Sequence, residues 1–189
     1  MKLLSKIHHP FEYISPSIYL AILLTFFTIT VIVSIFLSML DPSGLQNASS
    51  RNYDIVSFEL AGNFSNVSTM LDAWGESGKV RAALSLGLDF LFIPLYTSTI
   101  GLACIWIALY SGVVFLAPLG SLLAWLQLIG GGLDITENVA LIRILLGDHQ
   151  GFLPSLAKYC AISKFSIVIL GFIYIVFGFI AWLILTIKR

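Results

Sequence analysis

Apolar residues gather in four long runs, at about residues 18–40, 83–110, 113–134 and 165–187, and the polar residues fall mostly between them. A helix needs ~20 mostly apolar residues to cross a hydrocarbon core of roughly 30 Å. Each run meets that length, so the pattern predicts four transmembrane helices. Backbone groups in lipid must bond within their own segment, which favours helices over open strands. The many alternating segments of a membrane β-barrel are missing. The first run is too long for a signal-peptide core, and no small-residue cleavage site follows it, so it reads as a retained span.

Two stretches lie outside the runs. Residues 41–82 are rich in turn formers. Within them Phe64, Val67, Met70, Leu71 and Trp74 recur at helical spacing. This predicts a short amphipathic helix over 64–75, capped by Asn63 or Ser65 and ended by Gly75. Residues 135–164 form the second link, with the third helix running on to about Leu146 and stopping at Gly147. The link at Ser111-Gly112 is so short that the second and third spans must form an antiparallel hairpin. The expected fold is therefore all-α: one membrane domain over 1–189, a four-helix bundle with a short helix in its first long loop.

Composition supports that reading. The chain has 189 residues, 58% hydrophobic and 11% charged, with a mean hydropathy of +0.97 and a pI near 6.8. Ten basic residues balance ten acidic ones, so no basic face exists to neutralise phosphates, and nucleic-acid binding is excluded as an expectation. The expected partner is the lipid bilayer. Lys2, Lys6, Lys188 and Arg189 lie at the two ends, and the positive-inside rule then favours cytoplasmic termini; Arg143, Lys158 and Lys164 in the second long link argue the other way. Tyr19, Trp106, Tyr110 and Trp182 should form an aromatic belt on the terminus side. Cys104 and Cys160 fall at different depths and should not pair. The sequons at Asn47, Asn63 and Asn66 would matter only in a eukaryotic secretory membrane, and two of them fall at the loop helix.

Charge placement then points to a place in the bundle. Asp89 is the one charge inside the second run, and an ionisable group inside a span is a functional-site hypothesis by default. Arg81, Ser85, Asp89, Phe92 and Tyr96 share a helix face. Pro94 should kink the helix between Asp89 and Tyr96. On the third helix Asp134, Glu137 and Asn138 share a face, continued by Gln127. Folding the hairpin at residue 112 sets Asp89 level with residue 135 and Arg81 level with Arg143. Asp89, Asp134 and Asn138 should thus meet at one depth, on the side of the long loops, with Glu59 and Trp74 returning to the same end. The bland alternative is that these groups pair with one another, or with water at the interface, and serve only folding.

The order Phe58-Glu59-Leu60-Ala61, then Trp74, then Asp89-Phe90-x-Phe92-x-x-x-Tyr96, then Asp134-x-x-Glu137-Asn138 resembles a group of small, uncharacterised four-helix membrane proteins of bacteria. The resemblance covers about residues 55–145. It implies a four-helix bundle in a bacterial inner membrane, and it implies no activity.

Three functions follow as expectations. The first is a binding protein for a small amphiphile or lipid, held between helices two and three by Arg81, Asp89, Tyr96, Gln127, Asp134, Glu137, Asn138 and Trp74, with the arginines meeting an anionic group. The second is an intramembrane enzyme acting on a lipid or isoprenoid-like substrate. Its catalytic candidates are Asp89, Glu59, Asp134 and Glu137. No cofactor is required, although the oxygen donors Asp134, Glu137 and Asn138 would suit a divalent cation. The third is a subunit of an oligomeric transporter or channel, which would need a homo-oligomer to form a pore.

Overall fold

The computed structural model describes residues 8–45, 53–113 and 115–187. Among them are five α-helices and no strand. They are α1 (Pro16–Met39), α2 (Ile55–Glu59), α3 (Phe64–Tyr110), α4 (Leu116–Leu145) and α5 (Leu153–Ile187), with 3-10 turns at Pro10–Tyr13 and Pro42–Leu45. All but α2 are long and apolar enough to cross a membrane, as in a multi-pass membrane protein.

The expected loop helix is present, but it runs into the second span. Helix α3 continues from Phe64 to Tyr110 and is interrupted only at Gly75, whose φ of 58° and ψ of −168° are not helical. Glycine takes that positive φ at no steric cost, so Gly75 ends the amphipathic segment as its position predicts. The helix that carries the second apolar run therefore begins soon after Gly75, ahead of the run itself at 83. Asn63 caps the helix, its Oδ1 accepting from the Asn66 backbone N–H at 2.8 Å, while Asn66 Nδ2 donates to the Ala61 carbonyl at 2.8 Å. Two of the three sequons are thus capping chemistry; Asn47 lies outside the described residues.

Two other boundaries move. Helix α4 starts at Leu116, not 113, because Gly112 turns the chain with φ 72°. Helix α5 starts at Leu153, not 165. Hydropathy alone missed that first stretch because it carries Lys158 and Lys164. The stop at Gly147 holds, with φ 89°.

The chain divides into two compact units. One comprises residues 1–30, 94–131 and 165–189, the other residues 31–93 and 132–164. The first unit is tied by hydroxyl and amide bonds to backbone carbonyls. Tyr19 donates to Leu102 O at 3.0 Å, Tyr174 to Leu116 O at 2.8 Å, and Gln127 Nε2 to Ile167 O at 3.1 Å. Each bond satisfies a polar group that would be costly to bury alone. The aromatic residues expected as a belt do meet here: Trp106 lies 5.4 Å from Trp182 and 5.7 Å from Tyr110 between ring centroids, and Tyr110 lies 6.4 Å from Tyr19. Gly120 sits where a Cβ would come within 2.7 Å of the Cys104 carbonyl oxygen, so its lack of a side chain lets α4 approach α3 closely.

The second unit contains both long connections and a dense apolar core. Phe58, Val67, Met70, Trp74, Leu86, Leu141, Ile144 and Leu153 pack together in it. Phe58 and Trp74 meet edge to face at 5.2 Å. Ser155 Oγ donates to Gly62 O at 3.0 Å, tying the start of α5 to the turn between α2 and α3. Both cysteines are free and buried, one in each unit.

Candidate functional site

Helix α2, which the hydropathy pattern did not predict, starts on Asp54, whose carboxylate accepts from the Ser57 N–H at 2.7 Å. Its last residue is Glu59, only 8% exposed. From α3 comes Asp89, and from α4 come Asp134, Glu137 and Asn138. The last three are 3%, 0% and 0% exposed. Helical spacing and the hairpin register place Asp89, Asp134 and Asn138 at one depth, and the structure brings them together with Glu137 and with Glu59 from the first long loop.

Asn138 Nδ2 donates to Asp89 Oδ2 at 2.6 Å, which joins α3 to α4 at the level expected. Asp134 and Glu137 meet a base from the second long link. Lys164 Nζ donates to Asp134 Oδ1 at 2.6 Å and to Glu137 Oε1 at 3.1 Å, and stands 3.6 Å from Glu59 Oε2. Lys164 is itself 5% exposed. A short charge-assisted bond of this kind is stronger than a neutral one, and a buried ammonium requires such partners. Lys164 was missed because it lies at the polar edge of the last apolar run. Helical phase supplies a signal: α5 begins early enough to carry Lys164 inward, and Ala157, Cys160 and Ala161 on the turns before it are buried as well.

Three carboxyl groups thus surround one ammonium, and Asp89 is held beside them by Asn138. Two buried oxygens, Glu59 Oε2 and Asn138 Oδ1, accept no hydrogen bond, while Glu137 Oε2 lies 3.1 Å from Lys164 Nζ. The Glu59 and Glu137 side chains lie within hydrogen-bonding reach of each other, with the Glu59 carboxylate as the acceptor. Glu59 lies outside the four long helices. Burial pushes its carboxyl up to about 7; the Lys164 charge opposes that shift, while the Asp134 and Asp89 charges add to it.

Beside the cluster lies a cavity of about 160 Å³, bounded by the end of α1, by α2 and by α3. Its polar lining is Ser38, Asp41, Glu59, Ser85 and Asp89, and its apolar lining is Leu37, Ile55 and Leu86. A wider depression of about 400 Å³ opens between α2 and the start of α3, lined by Tyr53, Ser57, Asn66 and Thr69 among others. It holds no ionisable carboxyl or base.

Several expected site residues lie elsewhere. Arg81 does not face an anion site: its guanidinium donates to Met39 O at 2.9 Å and Asp41 O at 3.3 Å, satisfying carbonyls left open at the end of α1. Arg143 is bound to Asp148 at 2.6 Å. Trp74 is a core residue, 4% exposed, with Nε1 donating to Tyr53 O at 2.7 Å. The side chain of Gln127 is engaged at Ile167 O, within the other unit. The cavity wall is formed by α1, α2 and α3 rather than by α3 and α4. Among the described residues no group of three or more His, Cys, Asp or Glu side chains is placed to hold a metal ion. Between Asp134 and Glu137, two of the residues expected to suit a cation, the Lys164 ammonium supplies the positive charge.

Fold and cluster together define an all-α chain with four helices fit to cross a bilayer and a buried charged centre in the unit that carries the long connections. Comparison with known protein families, curated proteins and solved structures finds no match.

Proposed function

We propose that this chain is a multi-pass membrane protein that binds a small amphiphile, or the head of a lipid, in the cavity between α1, α2 and α3. The observation that carries this reading is the cavity lining. Asp41, Glu59 and Asp89 reach it together with two serines, and Leu37, Ile55 and Leu86 complete the wall. An apolar wall with a few converging polar groups is the usual form of a small-molecule site. A volume of about 160 Å³ holds a head group and a short stem rather than a whole lipid. The setting we infer is a bacterial inner membrane, from the motif resemblance, with cytoplasmic termini, from the basic residues at both ends.

Filling the cavity tests the reading. Ser85 is 5% exposed and lines the space, so Ser85→Leu should occupy it with little disturbance of the core. Native mass spectrometry of protein released gently from membranes is expected to show a bound small amphiphile on the wild type and none on Ser85→Leu. Equal occupancy in both proteins would place any bound lipid elsewhere and refute the reading.

A further inference from the structure

We propose that residues 8–14 form a strap latched to the bundle by a neutral His9, and that the strap is released when this imidazole takes up a proton.

The strap precedes α1 and is seated on α3 and α4, all within the first unit. Ser121 Oγ on α4 donates to Glu12 Oε1 at 2.6 Å. Four residues on, Trp125 Nε1 donates to the His8 carbonyl at 3.1 Å. The His9 ring meets Trp125 edge to face at 4.8 Å and Phe11 at 4.5 Å. Gly101 on α3 makes room for Phe11, because a Cβ there would stand 3.2 Å from Phe11 Cε2. His9 is only 1% exposed, so water does not reach the ring in the seated form.

The bonding of His9 fits one protonation state. A neutral imidazole has one donor and one acceptor nitrogen. Nδ1 is the acceptor, receiving the Phe11 N–H at 3.2 Å, which places the proton on Nε2. Nε2 is buried and has no hydrogen-bond partner. An unpaired buried donor weakens the seat even in the neutral form. A second proton would go on Nδ1, where it would point at the Phe11 N–H and break that bond. It would also set a positive charge between two aromatic rings, away from water.

The titratable groups around His9 fix the sign of the pH dependence. On the strap they are Glu12 and His8, whose Nδ1 lies 2.9 Å from Glu12 Oε2. The contacts from α4 and α3 are Ser121, Trp125 and Gly101, none of which ionises near neutrality. Burial pushes the His9 imidazole below 6.5, and the Glu12 charge opposes that shift without reversing it. Burial works to raise Glu12, but bonds from Ser121, His8 and the His9 N–H hold its carboxyl below 4.5. Glu12 therefore stays ionised where His9 titrates. In the released strap the imidazole returns to about 6.5. The released form then binds the proton more tightly than the seated one. Seating is at full strength above about pH 6.5 and weakens below it, by up to about tenfold per pH unit.

Hydrogen–deuterium exchange of the full chain in detergent measures the release. Read by mass spectrometry over residues 9–14 and corrected for the intrinsic pH dependence of exchange, protection should fall about tenfold from pH 7.5 to pH 5.5. Protection of α4 should not change. His9→Asn supplies a cap oxygen that does not titrate and should keep the strap protected at both pH values. If that variant seats poorly, the wild type still decides. Its His9 ring signal in NMR, assigned by elimination with His8→Ala and His149→Ala, should titrate over the range in which protection is lost. Protection that is unchanged or higher at pH 5.5 overturns the inference. So does a release that persists undiminished in His9→Asn, or one that follows the titration of a histidine other than His9.

Discussion

Replacing Lys164 by methionine is expected to destabilise the protein by about 3–5 kcal/mol, the usual cost of removing one partner from a buried ion pair. The ammonium is bonded to both Asp134 and Glu137. Without it, carboxyl groups that are 3% and 0% exposed must either remain ionised without a counter-charge or take up protons. Unfolding in detergent, followed by loss of helical signal, measures the effect. The effect should also be reversible by design. Adding Asp134→Asn and Glu137→Gln to Lys164→Met removes the stranded charges, and most of the lost stability is expected to return. If the single variant unfolds like the wild type, the distances around Lys164 carry no energetic weight.

Trp74→Ala is the second large effect, and it separates packing from binding. Trp74 was a natural ligand candidate on sequence, being aromatic and on a loop helix near the acidic groups. Its 4% exposure, its edge-to-face contact with Phe58 and its bond to Tyr53 O make it a core residue instead. Truncating a buried tryptophan leaves a large cavity and costs about 3–5 kcal/mol. Unfolding should therefore shift strongly, while ligand retained per folded molecule, measured by native mass spectrometry, should stay at the wild-type level. A loss of ligand from protein that is still folded would return Trp74 to the site.

The parts of this account that were legible in sequence share a physical cause. Helical periodicity is local, so Asp134, Glu137 and Asn138 could be placed on one face without knowing the fold. The short link at Gly112 fixes the hairpin register, so the meeting of Asp89 with Asn138 at 2.6 Å followed from counting residues. Gly75 and Gly147 marked helix ends because only glycine enters the left-handed region freely. Other features depend on the whole chain. A hydropathy window treats lysine as a boundary and cannot see that carboxylates across the bundle will accept it, so Lys164 was set outside the last span. Arg81 and Arg143 stand level with each other in the register, about two turns from Asp89, but register does not say which way a long side chain turns. Arg81 turned to the carbonyls ending α1 and Arg143 to Asp148. Helix α2 is too short to leave a periodic trace, and yet it sets Glu59 beside Lys164.

Glu59→Gln tests most directly whether the acidic centre is a binding site rather than a folding device. Glu59 is held up to about 7 by burial, above its value in an unfolded chain, so its stabilising contribution is present at low pH and is lost as pH rises toward 7. Glutamine keeps the shape and cannot ionise. The measurement is thermal stability and retained ligand on the same preparations of wild type and Glu59→Gln at pH 5 and pH 8. The account predicts that the variant matches the wild type in stability at pH 5, equals or exceeds it at pH 8, and loses the bound ligand at pH 8. A variant that is less stable at both pH values and still holds its ligand would contradict it.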